Sequence, residues 1–277
     1  MGSFRHEGHR IEYEVHGEGE RTLILIHGLL MNRRMYGALA PEIASRGNRV
    51  VTIDLLGHGG SDRPDDLREY SMGQFADQVA ALVEHLKLDR PVVGGTSLGA
   101  NVGLDLGARH PEAARGLFIE MPVLDNALLA IGGIFVPVMF VLRFGGPVLR
   151  GVSWLTSRIP RTGYLVDIGL DWVRQQPEPS LAVLQGLMFG RIAPPREERR
   201  KIKLAALVIG HPRDPLHPFS DSDALVDEMP NARLVDANSI LEWRLNAGRL
   251  NDELAAFVEE AYAKPKRAKR PARAASA

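Results

Sequence analysis

The feature that most constrains this chain is an alternation of short, continuous apolar runs with segments of helical period. Thr22-Leu-Ile-Leu-Ile26 is apolar almost throughout and ends at His27-Gly28, as a strand buried on both faces does. Arg49 to Asp54, Pro91 to Gly95, Gly116 to Ile119 and Leu204 to Ile209 repeat the arrangement, and Ala232 to Asp236 is read as the last strand. Between two of these runs, Ser71 to Leu88 places Met72, Phe75, Val79, Leu82, Val83 and Leu86 on one helical face, with Ser71 and Gln74 spaced as a capping box. Leu250, Leu254, Phe257, Val258 and Ala261 mark a closing helix. Strand and helix in alternation predict an α/β fold: a mostly parallel sheet covered by helices on both faces. The alternating Ile11-Glu-Tyr-Glu-Val15 suits an antiparallel hairpin at one edge.

From about Pro122 to Pro195 the rhythm breaks into apolar helical stretches punctuated by Pro and Gly, with no buried strand. The predicted organisation is a core over 1–121 and 196–262, a helical cap over 122–195 and a basic, disordered tail over 263–277. Gly132, Gly133, Gly145 and Gly146 stand at expected bends. Packing of the cap on the sheet accounts for most of its apolar residues; an apolar pocket, or a lid meeting lipid, is the functional alternative. Ala127 to Leu142, broken by Gly132-Gly133 and Pro137, falls short of the roughly 20 apolar residues of a spanning helix. The polar first twenty residues lack a signal-peptide core, so a cytoplasmic protein is expected.

Composition removes several classes of function. With no cysteine among 277 residues, disulfide scaffolds, thiolate metal sites and cysteine nucleophiles are excluded. Of 34 basic residues, six lie beyond Ala263 with no acidic residue among them, leaving 28 against 34 acidic residues in the body. The core is therefore not expected to bind nucleic acid, and only the tail carries charge suited to acidic surfaces. His6, His9 and His16 lack metal-ligand spacing, and Gly94-Gly95 lacks the lysine of a phosphate loop. Neither a metal nor a cofactor is expected.

The strongest chemical signal is Gly95-Thr96-Ser97-Leu98-Gly99, set between a predicted strand and a predicted helix over Leu98 to Arg109. A sharp strand-to-helix turn exposes a serine hydroxyl as a nucleophile, and small flanking residues let the backbone turn without clash. With this motif, Ile26-His-Gly-Leu-Leu30, the loop Asp54 to Pro64 and Gly210-His-Pro-Arg-Asp214, the chain resembles the α/β-hydrolase family from Ile11 to Tyr262. The resemblance implies that Ser97 is the nucleophile, that the amides of Leu29 and Leu98 form the oxyanion hole, and that Asp214 is the acid. Glu120 is its minor rival. It also implies that His27, His58, Asp54 and Asp62 brace loops and that the cap shapes specificity.

One member of the pattern is absent. The family's base is a histidine shortly before the closing helix, near Ile240 to Glu242 here, yet none of the nine histidines lies beyond His217. Three residues are candidates to replace it. His217, three positions after Asp214, is the first choice; Glu242 is a carboxylate alternative; His211 is the third, with a strand-end position expected to face away. The expected function is hydrolysis of an ester-like or other carbonyl bond in an apolar small molecule. The alternative is a degenerate, non-hydrolytic ligand-binding protein on the same fold.

Overall fold

The structure, a computed structural model, describes residues 1–160, 163–239 and 242–263. The strands are β1 (Gly2–His6), β2 (His9–His16), β3 (Arg21–Ile26), β4 (Asn48–Asp54), β5 (Val92–Thr96), β6 (Gly116–Glu120), β7 (Ala205–Gly210) and β8 (Ala232–Asp236). They form one sheet in the order β1-β2-β4-β3-β5-β6-β7-β8. From β4 to β8 along the sheet every pairing is parallel. The N-terminal pair is the expected antiparallel hairpin, turning through Glu7 and Gly8 at positive φ, with β2 antiparallel to β4.

The helices are α1 (Leu39–Ser45), α2 (Met72–His85), α3 (Leu98–Arg109), α4 (Leu128–Phe144), α5 (Gly146–Thr156), α6 (Tyr164–Val173), α7 (Pro177–Met188), α8 (Arg196–Arg199), α9 (Phe219–Glu228), α10 (Glu242–Leu245) and α11 (Gly248–Tyr262). Because strand side chains alternate between faces, each apolar run feeds two cores. Ile24, Ile26, Val93, Leu117, Ile119 and Val208 point into the layer of α2, α3 and α9. Their neighbours Leu23, Leu25, Val92, Phe118, Leu207 and Ile209 point into the layer of α1 and α11. This is why the runs are apolar at successive positions.

The helical faces fall as their spacing predicts. Met72, Phe75, Val79, Leu82 and Val83 of α2 are buried, as are Leu250, Leu254, Phe257 and Val258 of α11. Ser71 caps α2 by accepting the Gln74 N–H at 3.2 Å, while the Gln74 side chain reaches the Ser71 hydroxyl and the Arg68 carbonyl. The Ser71 half of the predicted capping box is therefore formed, while the Gln74 side chain accepts from the Ser71 hydroxyl and not from its N–H.

Between β6 and β7 lie α4 to α8, with no strand among the described residues. Two expectations fail here. Helix α4 runs unbroken through Gly132, Gly133 and Pro137, and the first real break is at Gly145. Gly133 and Pro137 are exposed, so the carbonyl that the proline cannot serve is not sealed inside the protein. The apolar side chains of α4 are also not mainly packing: of the helix, only Ile131 is buried. The helical stretch Asp125–Phe144 has 20 residues, a mean hydropathy of 2.2 and 11% burial, which is long and apolar enough to cross a membrane by length and composition. Hydropathy signals burial only where the fold supplies a partner surface, and most of α4 has none. The basic tail from Lys264 onward lies outside the described residues.

Candidate active site

Strand β5 delivers Ser97 to the sheet's carboxyl edge, where α3 begins immediately. Ser97 adopts φ 55° and ψ −108°, a conformation costly for a residue with a Cβ. Its N–H donates to the Glu120 carbonyl on β6 at 2.9 Å, and its carbonyl accepts the Asn101 N–H of α3 at 3.0 Å. The two glycines of the motif are required by contact. A Cβ on Gly95 or on Gly99 would lie 1.9 Å from the Ile26 carbonyl oxygen of β3. The turn thus holds its serine against a backbone approach that no larger residue permits.

His217 reaches this serine from the β7–α9 loop. Its Nε2 lies 2.9 Å from Ser97 Oγ, and its Nδ1 lies 2.9 Å from Asp214 Oδ2. Asp214 Oδ1 meanwhile accepts the backbone N–H groups of Leu216 at 2.8 Å and His217 at 3.1 Å. One carboxylate therefore folds the loop with one oxygen and faces the imidazole with the other. Pro215 and Pro218 flank the segment, restricting its φ angles, and Pro218 caps α9. Both side chains are nearly buried, at 9% exposure for Asp214 and 12% for His217. Burial pushes the Asp214 carboxyl up, but the hydrogen bond and charge of His217 and the two backbone N–H groups outweigh it, holding the acid below the ordinary carboxylate range.

Ser97, Leu98, Leu29 and His217 share the wall of one cavity of about 260 Å³. Its remaining lining is mostly apolar and includes Met72, Ile131, Phe135, Leu184 and Met188. Leu98 opens α3, so its N–H belongs to the first turn, whose donors have no partner within the helix. Leu29 follows β3 in a tight loop closed by Met31 N–H on the Gly28 carbonyl at 3.1 Å.

Comparison with known proteins bears on the fold that carries these residues. A model of the α/β-hydrolase fold family matches residues 21–139. The AB hydrolase superfamily protein YisY of Bacillus subtilis (strain 168) is 28% identical over 262 residues, covering 84% of this chain and 91% of that protein. A haloalkane dehalogenase of Mycolicibacterium paratuberculosis is 30% identical over 105 residues, 38% of this chain and 35% of its own. The enol-lactonase of Burkholderia xenovorans LB400 superposes with a TM-score of 0.75 at 21% identity, covering 93% of this chain and 100% of that one. This chain has the α/β-hydrolase fold.

In this α/β-hydrolase-fold protein the other sequence candidates, Glu242, His211 and Glu120, do not line the Ser97 cavity. Glu242 opens α10. Its carboxylate takes the Asn238 backbone and side-chain N–H groups and two N–H groups of Arg249, and its pKa is lowered chiefly by the Arg249 hydrogen bond. Ile240 and Leu241, beside it, lie outside the described residues. His211 is buried, with Nε2 3.1 Å from Glu120 and Nδ1 3.1 Å from the Ser239 carbonyl. Glu120 also accepts from Thr96 Oγ1. Both groups thus serve a network behind the Ser97 turn, and it includes Tyr36, whose hydroxyl accepts the Thr96 N–H at 3.1 Å and donates to the Ile26 carbonyl at 2.8 Å. Nothing in the spacing of Tyr36 and Thr96 points to this contact, since it joins residues 60 positions apart.

The loop residues are held as braces. His27 Nε2 accepts the Leu55 N–H at 3.1 Å, and its ring lies 4.7 Å from that of His58. Burial lowers the pKa of both imidazoles, well below 6.5 for His58. Asp54 accepts from Arg33 and from the Gly60 N–H, and Asp62 accepts the Arg10 N–H at 2.7 Å. Among the described residues no group of three or more His, Asp or Glu is placed to hold a metal ion.

Proposed function

We propose that the chain is a serine hydrolase that cleaves an ester-like or other carbonyl bond of an apolar small molecule. The observation that carries this reading is the pair of 2.9 Å contacts joining Ser97 Oγ to His217 and His217 to Asp214. In the proposed reaction, Ser97 Oγ attacks the carbonyl carbon while His217 Nε2 takes the hydroxyl proton. The carbonyl oxygen becomes an anion that receives the amides of Leu29 and Leu98. His217 then gives its proton to the departing oxygen, leaving an acyl group on Ser97. Water, deprotonated by the same imidazole, hydrolyses that acyl group and restores the serine. Asp214 keeps Nδ1 protonated, so that Nε2 is the basic nitrogen.

The cavity size favours a compact acyl group. About 260 Å³ is just below the ~300–1,000 Å³ of ordinary ligand pockets, and its walls are chiefly apolar. Relatives named as hydrolases support hydrolysis as the reaction class. The test is hydrolysis of a series of p-nitrophenyl acyl esters. Turnover with short acyl chains that disappears in Ser97→Ala supports the reading. Turnover unchanged in Ser97→Ala refutes it, and binding of esters without turnover assigns the pocket to ligand capture.

A further inference from the structure

We propose that the outer face of α4 and α5 seats the protein on an anionic lipid bilayer, lying along the surface and not crossing it. The inference holds whether or not Ser97 is a nucleophile. Leu129, Phe140, Phe144, Val148, Trp154 and Leu155 are all exposed, Leu129 at 91% and Phe144 at 73%. Such a concentration of large apolar groups on two consecutive helices is unusual for a surface that meets only water.

Charge identifies the occupant. Between Asp125 and Asp167 the chain has four arginines and no acidic residue; of these, Arg150 is paired with Glu178 of α7. Arg143 lies over the Phe144 ring and Arg158 over the Trp154 ring, at 5.8 and 3.3 Å from the centroids, and neither has an acidic partner among the described residues. Aromatic and aliphatic groups flanked by guanidinium ions are the composition of a helix set at the boundary between headgroups and acyl chains. A twofold contact between two copies would instead crowd Arg143 and Arg158 against their own counterparts, and the neighbouring acid, Glu178 of α7, is already paired with Arg150.

Packing decides between lying on the bilayer and spanning it. The inner side of α4 is engaged: Ile131 packs with Val123 and Ala127 and against Met188 and Leu216, and Phe135 joins the same cluster. Ile131 and Phe135 also form part of the Ser97 cavity wall. A helix that spanned the membrane would have to strip this face from the domain and open the cavity. Lying flat keeps both contacts and puts the lipid beside the wall of the cavity.

The test uses the full chain with phosphatidylcholine vesicles, pure or doped with phosphatidylglycerol. The expected result is sedimentation with the doped vesicles and a blue shift of tryptophan emission, because Trp154 and Trp172 are exposed while Trp243 is buried. The double variant F140E/F144E should lose at least about tenfold in affinity with unchanged melting, since both side chains are exposed. Arg143→Gln and Arg158→Gln should each weaken binding to doped vesicles about fivefold. Equal or absent binding to the two vesicle types overturns the proposal. So does a dimer, seen by light scattering, that F140E/F144E dissolves in place of vesicle binding. Binding that survives F140E/F144E but vanishes when the six basic residues beyond Ala263 become glutamine assigns it to the tail and overturns the proposal as well.

Discussion

Replacing Asp214 by asparagine changes one atom and should disable the proposed chemistry without unfolding the loop. Oδ1 accepts two backbone N–H groups, at 2.8 and 3.1 Å, and the asparagine oxygen can keep both. Its amide nitrogen then takes the place of Oδ2, 2.9 Å from His217 Nδ1. Two donors cannot face each other, so Nδ1 gives up its proton and becomes the acceptor. Nε2 then carries the hydrogen and presents a donor to Ser97 Oγ where the reaction needs a base. A wrong tautomer of this kind costs a serine hydrolase about 10⁴-fold in kcat, or ~5.5 kcal/mol at 1.36 kcal/mol per decade. The assay is kcat/KM on a p-nitrophenyl ester, with thermal melting alongside. A loss smaller than about tenfold in a folded variant would refute the base assignment, because no other step depends on which nitrogen holds the proton.

Three further outcomes are expected. Gly99→Ala drives a methyl to 1.9 Å from the Ile26 carbonyl, so β3 or α3 must shift; activity should fall at least about 100-fold and stability by about 1–3 kcal/mol in urea unfolding. Glu242→Gln, at a carboxylate already engaged by Arg249 and Asn238, should leave ester turnover within about threefold, and a loss of orders of magnitude would restore Glu242 as the base. His58 and His27 are buried with lowered pKa values, so as pH falls through 6.5 the unfolded chain binds protons that the folded chain refuses. Stability should therefore decrease on acidification from pH 7 toward 5, by up to ~1.4 kcal/mol per pH unit for each group. Melting temperature followed across that range checks this, and the slope should flatten in His58→Gln.

The parts legible in the sequence are those whose causes are local. A parallel strand buried on both faces has to be apolar at successive positions, so β3 to β7 stand out unaided, and the Ser97 turn declares itself because Gly95 and Gly99 have no room for a side chain. Asp214 is readable from its loop after β7. His217 was visible only as one of three candidates, because its contact with Ser97 closes across 120 residues, and spacing says nothing of such a distance. The network of Tyr36, Thr96, Glu120 and His211 is illegible for the same reason. Helix α4 misleads in a different way. Its hydropathy implies an apolar environment, but the sequence does not distinguish the interior of the protein from a surface outside it.

The central claim, a serine activated by a histidine carried on the acid's own loop, is tested most directly by intact-mass detection of a fluorophosphonate adduct. The wild-type chain should gain one adduct, Ser97→Ala none, and His217→Ala should label at least about 10³-fold more slowly while Glu242→Gln labels at the wild-type rate. A folded wild-type chain that takes no adduct, or a His217→Ala chain that labels as fast as wild type, would contradict the account.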